Sequence, residues 1–339
     1  MGKNIDVSII IPVRTDNQYL DSSLSSTLSS MSDSMELVIV EDLADEKASK
    51  KISTFFEQNK HRFSISVLSN QGKGLVDALH TGISNSSGTF IARMDADDIC
   101  LGERFTVQQK YLEEHSDIGL VSCLVKYGGD ELQNAGFSRF VKQMNTLDTH
   151  RKMYEKRYVD VPVAHPSVMF RRSLLKLGTY RKCNKFGETV PEDFDLWLRW
   201  LNHGVKFEKI PEYLLIWNDL PDRLSRKSIV YSKRAFWNSV AENFIKAKNK
   251  NYWICGYGRS ADRRLRGLVS RGLTISGYIA PEPQKRKDGL PVISIHNMNS
   301  LKGNAIILCS VGNYEGKKFI QTYFNTWGFE EETDYIWIV

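Results

Sequence analysis

The chain has 339 residues, of which 41% are hydrophobic and 25% are charged, the composition of a globular protein with about two domains. No apolar run approaches the ~18 residues of a membrane-spanning helix, and five scattered cysteines without a Cys-x-x-Cys pair favour reduced cytoplasmic thiols over a zinc site. The formal net charge of +6 lies in one segment, Asp222 to Lys250, where eight basic minus two acidic residues give +6 and leave the rest neutral.

The amino-terminal part of the chain alternates apolar runs with amphipathic segments. Strands are predicted at 7–11, 37–40, 64–68 and 90–94, and helices at 20–31, 47–58 and 74–85. Pro12 is expected to stop the first strand. This β-α-β-α-β-α-β order predicts an α/β fold with a doubly wound, mainly parallel sheet.

The fourth predicted strand ends in three carboxylates, Asp95, Asp97 and Asp98. In an extended chain, Asp95 and Asp97 project to one side and Asp98 to the other. Two carboxylates on one side of a strand end suit a hard divalent cation with a phosphate-bearing ligand. A solvated turn or a helix cap is the ordinary alternative. The pattern of a calcium loop fails, because Cys100 stands where it requires glycine.

The second predicted strand also ends in an acid, Asp42, at the same edge of the sheet. A carboxylate there can accept hydrogen bonds from a base N–H or from a ribose hydroxyl. The turn Gly72-Lys73-Gly74 lacks the P-loop pattern but can let the backbone and Lys73 approach a phosphate. A plain turn explains these three residues equally well.

Six blocks of sequence carry a resemblance to a known family through their order and spacing. They are residues 7–13, 38–42, 72–82, 91–98, 165–172 and 192–199. With these blocks the chain resembles the family 2 glycosyltransferases, which are inverting enzymes of the GT-A fold. The resemblance fades near Ser225, so it covers about two-thirds of the chain.

The resemblance implies roles for individual residues. The donor-binding residues would be Pro12, Val13, Asp42, Lys73, Arg93 and Asp95, with Asp42 on the uracil. Asp95 and Asp97 would form the Asp-x-Asp motif that holds Mn²⁺ or Mg²⁺, with Asp97 as the main ligand. Glu192 and Asp193 would be the acceptor-side catalytic pair, with Asp193 as the general base. Asp219 stands where the family often has a histidine.

The chemistry of glycosyl transfer agrees with these assignments. The leaving diphosphate has to be neutralised, the acceptor hydroxyl has to lose a proton, and the donor has to be held for in-line attack. Asp95 and Asp97 suit the first task, and Asp193 suits the second. The structural alternative is that Glu192 and Asp193 cap the helix that follows them. His165 can contact the acceptor, although a hydrogen-bonded structural histidine is the favoured interpretation.

Residues 221–250 predict a basic helical connector with one apolar side. That side consists of Ile229, Phe236, Trp237, Val240, Phe244 and Ile245. It can lie on an anionic membrane surface, but packing on the protein's own core is the interpretation that we favour. Nucleic acid is not an expected partner.

Residues 251–339 predict a small Rossmann-like α/β domain. Its predicted strands are 252–255, 273–279, 305–309 and 335–339, and a helix at 256–271 follows the first. Gly256 and Gly258 form an incomplete dinucleotide pattern with Ala261 in third position, and the nearest acid after the second strand is Glu282. A structural or docking role is therefore favoured over nucleotide binding.

Together these observations predict a GT-A domain at 1–220, a connector at 221–250 and an accessory domain at 251–339. The expected enzyme moves a hexose or N-acetylhexosamine from a UDP-sugar to a glycan or lipid-linked glycan in surface polysaccharide biosynthesis. We expect it in the cytoplasm, with peripheral contact to the inner face of the membrane. The alternatives are a nucleotide-sugar-binding protein, a Rossmann oxidoreductase and a sugar-nucleotide pyrophosphorylase, whose glycine-rich loop is missing at 12–15.

Overall fold

The structure is a computed structural model, and it describes residues 5–338 except 222, 224, 225, 227, 245–249, 257 and 284. An eight-stranded sheet is followed along the chain by a five-stranded sheet. The strands of the first sheet are β1 (Val7–Val13), β2 (Met35–Glu41), β3 (Ser64–Ser69), β4 (Phe90–Arg93), β5 (Ile99–Cys100), β6 (Ile118–Tyr127), β7 (Met169–Arg171) and β8 (Lys206–Trp217). The helices around it are α1 (Leu20–Ser29), α2 (Glu46–Asn59), α3 (Leu75–Ser84), α4 (Arg104–Glu114), α5 (Ala135–Asn145), α6 (His150–Glu155) and α7 (Glu192–Asn202).

The first sheet is mainly parallel and doubly wound, as the sequence predicts. Its strand order is β3-β2-β1-β4-β7-β6-β8-β5, with β1 to β4 mutually parallel and β7 antiparallel to both of its neighbours. Helices α1, α2 and α4 cover one face, where Ile9 and Ile11 point, while α3 and α7 cover the face of Ile10. The apolar run of β1 is therefore buried on both sides, which is typical of a central parallel strand.

Strand β1 continues through Pro12, contrary to the prediction that this proline ends it. Ile10 hydrogen-bonds towards β4, where its carbonyl accepts from the amide of Met94 at 3.2 Å, and Val13 bonds towards β2. Because alternate residues of a strand bond to opposite sides, the nitrogen of Pro12 faces the β4 side. Strand β4 has already ended at Arg93, so the missing N–H of Pro12 removes no ladder bond.

The second sheet is entirely parallel. Its strands are β9 (Asn251–Cys255), β10 (Ile275–Ala280), β11 (Val292–Ser294), β12 (Ala305–Cys309) and β13 (Tyr335–Trp337), in the order β11-β10-β9-β12-β13. Counted from β9 this is order 3-2-1-4-5, which matches the start of the Rossmann arrangement. Strand β11 is not predicted from the sequence, because it is a three-residue edge strand whose side chains are only half-buried.

Three helices accompany the second sheet. They are α8 (Lys233–Asn243), α9 (Arg259–Val269) and α10 (Tyr314–Trp327). Helix α8 belongs to the basic connector, and its apolar side packs inward: Phe236 stacks on Phe194 of α7 with ring centroids 3.9 Å apart, and Val240 is fully buried. This packing agrees with the favoured interpretation for Phe236, Trp237, Val240 and Phe244, whereas Ile229 is 80% exposed and Ile245 lies outside the described residues. None of the described helices is long and apolar enough to cross a membrane.

The two sheets share one apolar cluster. Tyr158, Phe194 and Leu198 come from the first unit, and they pack with Tyr252 and Ile254 of β9 in the same core. Side chains of α8 fill the space between them. The boundary drawn from sequence near Lys250 therefore crosses a continuous core.

Candidate active site

The carboxyl ends of four parallel strands meet at one edge of the first sheet. Strand β1 brings Pro12 and Val13 to this edge, β2 brings Asp42, β3 leads into the turn at 70–74, and β4 leads into Asp95. Ligands of open α/β sheets bind outside such strand ends. The predicted donor and metal residues therefore converge because of the sheet topology.

Asp42 and the glycine turn are in direct contact. The Oδ1 atom of Asp42 accepts from the side-chain amide of Asn70 at 2.7 Å and from the backbone N–H of Gly74 at 2.9 Å, while the amide of Asp42 donates to the Val13 carbonyl at 2.8 Å. Gly74 has a φ of +89°, which side chains rarely adopt, and it begins α3. Asp42 is thus held rigidly between the ends of β1 and β3.

Two residues beside Asp42 complete this part of the edge. Leu43 has a φ of +53° and is 65% exposed, so an apolar side chain stands in the solvent next to Asp42. Lys73 is exposed, and its backbone N–H donates to Asp77 at 2.7 Å. A strained backbone and an exposed apolar side chain are features that functional sites retain.

The acidic turn after β4 brings all three aspartates together. The amide of Asp98 donates to the carbonyl of Asp95 at 3.3 Å, and ligand atoms of Asp95, Asp97 and Asp98 lie within 4.8 Å of one another. The prediction that Asp98 points away is wrong, because the strand ends at Arg93 and the chain turns. Asn218 fixes this turn: its backbone N–H donates to Asp98 at 2.8 Å and its side-chain amide to the Asp97 carbonyl at 2.7 Å.

The electrostatics of the acidic turn suit a cation. Burial, together with the charge of Asp95, raises the pKa of Asp97 to about 6, and burial with the charge of Asp97 raises the pKa of Asp98 well above its ordinary value. The Oδ2 atom of Asp98 is buried without a hydrogen-bond partner among the described residues. Oxygen ligands in this number suit Mg²⁺ or Mn²⁺, so the residues fit a divalent metal.

Arg93 lies beneath the site. It is 3% exposed, and its guanidinium donates to the carboxylate of Asp95 and to the backbone carbonyl of Met94. Its positive charge limits the rise in the pKa of Asp97 on one side and in that of Asp193 on the other. Arg93 thus contacts the first acidic cluster and acts on the second through its charge, and its assignment to donor binding stays a prediction.

The second acidic cluster stands at the start of α7. Ligand atoms of His165, Glu192 and Asp193 lie within 4.8 Å of one another. The hydroxyl of Tyr231 lies 2.8 Å from both carboxylate oxygens of Glu192, and His165 Nδ1 lies 3.8 Å from Glu192. The other ring nitrogen of His165 bonds to the hydroxyl of Tyr180 at 3.0 Å.

The two acids of this pair titrate differently. Burial, together with the charge of Asp193, raises the pKa of Glu192 to about 8, whereas burial raises the pKa of Asp193 only to about 6, because the amide of Phe194 donates to it at 2.7 Å. Burial and the charge of Arg93 lower the pKa of His165, so the imidazole is neutral. At neutral pH the cluster therefore holds an ionised Asp193 beside a protonated Glu192.

Two contacts of the site have no clear signal in the sequence. Tyr231 belongs to a single 3₁₀ turn, Ile229–Tyr231, inside the connector, and the sequence separates it from Glu192 by 39 positions. Asn218 directly precedes Asp219, which is the residue that the family resemblance singles out in this stretch. Asp219 itself accepts from the Tyr127 hydroxyl at 2.7 Å and from Arg226 at 2.6 Å, and it lies outside the acidic cluster of the described residues.

Comparisons with known proteins identify similar sequences. The model of the family described as glycosyl transferase family 2 matches residues 8–178, just over half of the chain. An uncharacterized glycosyltransferase of Methanocaldococcus jannaschii is 28% identical over 64% of this chain and 71% of its own length. The O-antigen biosynthesis glycosyltransferase WbnJ of Escherichia coli is 28% identical over 74% of this chain and 94% of its own length.

Solved structures share the fold. TarS of S. aureus, residues 1–349 in complex with UDP-GlcNAc, aligns with a TM-score of 0.53 and 14% identity over 95% of this chain and 80% of that chain. The mannosyltransferase PcManGT of Pyrobaculum calidifontis, in complex with GDP-Man and Mn²⁺, aligns with a TM-score of 0.51 and 16% identity over 71% of this chain and 62% of that chain. At these identities the likeness concerns the architecture alone.

Proposed function

Because the chain belongs to glycosyl transferase family 2, we propose that it moves a hexose or N-acetylhexosamine from a UDP-sugar to a glycan or lipid-linked glycan, with inversion. The observation that carries this proposal is the pair of acidic clusters at one sheet edge, joined by Arg93. One cluster suits a cation and the other suits a proton acceptor. The UDP-GlcNAc and GDP-Man complexes of the structural neighbours support a nucleotide-sugar donor.

The acidic turn is the proposed metal site. Asp95, Asp97 and Asp98 would hold Mn²⁺ or Mg²⁺, and the bound cation would supply neutralisation of the leaving diphosphate. Asn218 and Arg93 orient these carboxylates through the hydrogen bonds described above. The Mn²⁺ in the Pyrobaculum neighbour supports a divalent metal.

Asp193 is the proposed general base. Its pKa of about 6 leaves it ionised at neutral pH and close to the value that favours proton transfer from an acceptor hydroxyl. The protonated Glu192, held by Tyr231, keeps the total charge of the pair at minus one. Single displacement requires a base of this kind and no nucleophile from the protein.

The edge around Asp42 is the proposed pocket for the donor base. Asp42 would accept from the uracil, between Pro12 and Val13 on one side and the glycine turn on the other. Leu43 offers the apolar surface on which a base can pack, and the exposed Lys73 can reach a phosphate.

The chain is proposed to work as three parts: a catalytic unit at 1–220, a connector at 221–250 and an accessory unit at 251–339. The O-antigen role in the name of one relative supports a setting in surface polysaccharide assembly. The proposed location is the cytoplasmic face of the membrane, where a lipid-linked acceptor would be available.

The direct test is a transfer assay with product stereochemistry. Incubation with UDP-sugars, Mn²⁺ and a glycan acceptor should release UDP and yield a glycoside of opposite anomeric configuration to the donor, which NMR spectroscopy can determine. Retention of configuration would contradict the single displacement with Asp193 as base. Formation of a nucleotide sugar from a sugar phosphate and UTP would instead assign a pyrophosphorylase.

A further inference from the structure

The second sheet reverses its strand order at the kind of position where parallel α/β sheets bind ligands. The chain leaves the central strand β9 in one direction towards β10 and reaches β12 on its other side, so the order of strands reverses between β9 and β12. Ligands bind outside the carboxyl ends of the strands at such a point. Gly256 follows β9 here with a φ of +89°, and a Cβ on it would lie 2.4 Å from Val311 after β12.

Three cations lie near this end of the second sheet. Arg264 of α9 donates to the hydroxyl of Ser310, directly after β12, at 3.2 Å. Lys317 of α10 lies over the ring of Trp337 at the end of β13, 5.8 Å from its centroid. Lys156 of the first unit lies beside Lys317, since both side chains line one cavity. Burial, and then the charges of Lys156 and Arg264, lower the pKa of Lys317.

Carboxylates pair with one of the three cations. Among the described residues, neither Arg264 nor Lys317 forms an ion pair with a carboxylate. The charge of Asp160 raises the pKa of Lys317, but burial raises the pKa of Asp160 itself. Glu331 is engaged by Lys156, with Nζ–O distances of 2.7 and 3.0 Å.

A cavity of 530 Å³ opens beside these cations, between α10 and the segment around Lys156. Its lining includes Lys156, Lys317, Lys318, Tyr314, Gln321 and Trp337. The walls therefore combine ammonium groups, an aromatic ring and polar donors, and the volume is sufficient for a small ligand.

We propose that this cavity binds the phosphate or diphosphate group of a small molecule, at a second site separate from the acidic edge of the first sheet. Half-buried cations without carboxylate partners are costly, and an anion that completes their pairing offsets that cost. Lysine, arginine and hydroxyl donors together match phosphate oxygens. The inference does not depend on the proposed transferase activity, because it uses none of the residues of that site.

Calorimetric titration of the full chain with inorganic pyrophosphate and with UDP tests this site. EDTA is present throughout, so that the acidic edge cannot bind either ligand through a metal. We expect pyrophosphate to bind, Lys317→Gln to weaken binding roughly tenfold, and Lys317→Arg to retain it. Lys287→Gln, an exposed lysine of the second unit, is the matched control and should bind like the parent protein. UDP binding with the same Lys317 dependence would identify a nucleotide as the source of the phosphate.

Two results would overturn the proposal. One is the absence of pyrophosphate and UDP binding in EDTA. The other is equal weakening of pyrophosphate binding by Lys317→Gln and Lys287→Gln, which would show that binding depends only on the overall charge of the protein. Should Lys317→Gln unfold, Lys156→Gln replaces it, and unchanged pyrophosphate binding by that variant would count equally against the site.

Discussion

Glu192 and Asp193 are adjacent in the sequence, yet their surroundings separate their acidities. Glu192 is 3% exposed and contacts Tyr231 and His165, whereas Asp193 is less buried and accepts from the Phe194 amide. Burial and the charge of Asp193 raise the pKa of Glu192 to about 8, whereas burial and the charge of Asp95 raise that of Asp193 to about 6. A pair of acids with separated pKa values is the pattern by which one acid serves as base at neutral pH.

Replacing the proposed base should affect turnover far more than donor binding. Asp193→Asn should lower kcat by ~10²–10⁴-fold, because a positioned base contributes about that much, and should leave the Kd for UDP unchanged. Steady-state kinetics and calorimetry measure the two quantities. Glu192→Gln is the matched control and should retain more activity. Normal turnover by Asp193→Asn with an inactive Glu192→Gln would reverse the assignment.

The raised pKa of Glu192 should also cost stability in a defined pH range. A folded-state pKa of about 8 against 4.5 unfolded means that the folded protein holds the proton more tightly, so stability falls as pH rises from about 4.5 to about 8. Glu192→Gln removes this penalty. Its gain in Tm over the parent protein should be small at the low end of this range and largest at the high end. A gain independent of pH would contradict the shifted pKa.

At the scale of secondary structure, the sequence locates apolar strands well and side-chain partners poorly. Strands β1, β2 and β4 are buried on both faces, so their apolar runs stand out, and parallel topology then places Asp42 and Asp95 at one edge. An apolar run does not determine the path of the chain after β4. For that reason the prediction that Asp98 points away from Asp95 and Asp97 is wrong. Tyr231 contacts Glu192 because the connector folds back over α7, and no local sequence pattern predicts such a tertiary contact.

The connector should bind anionic lipid mainly through charge. The apolar side of α8 packs on α7 and the second sheet, Arg226 is paired with Asp219, and Ile229, Lys233 and Arg234 are exposed. In flotation assays, vesicles with anionic lipid should retain the protein at low salt and release it at high salt, because ionic strength screens surface attraction. The double variant Lys233→Gln/Arg234→Gln should float less, with Lys110→Gln/Lys50→Gln as control. Retention at high salt would imply apolar insertion and contradict this mode.

At the scale of the whole molecule, the shared core ties the accessory unit to the catalytic unit. The cluster of Tyr158, Phe194 and Leu198 loses the part that β9 and the rest of the second unit contribute if residues after 250 are removed. Phe194 directly follows Asp193, so the support of the proposed base includes residues of the second unit and of α8. The sequence favours a structural or docking role for the accessory unit, and this packing connects that unit to the support of the proposed base.

A chain shortened after Lys250 should therefore lose stability before it loses donor binding. The acidic turn and Asp42 lie outside the shared cluster, so metal-dependent UDP binding should persist at low temperature. Thermal denaturation should show a lower Tm, since apolar surface of the first unit becomes exposed. An unchanged Tm would contradict the shared core. The full chain measured under the same conditions is the reference.

The central claim is that the acidic turn binds a nucleotide sugar through a divalent metal, and thermal denaturation of the full chain tests it most directly. Ligand at 100 times its Kd stabilises the folded state by about 2.7 kcal/mol. A UDP-sugar with Mn²⁺ should therefore raise the Tm, and EDTA should abolish the rise. The variant Asp97→Asn should lose it as well, whereas Asp117→Asn, a surface control paired with Lys206, should keep it. A UDP-sugar shift that survives EDTA and Asp97→Asn would contradict the account.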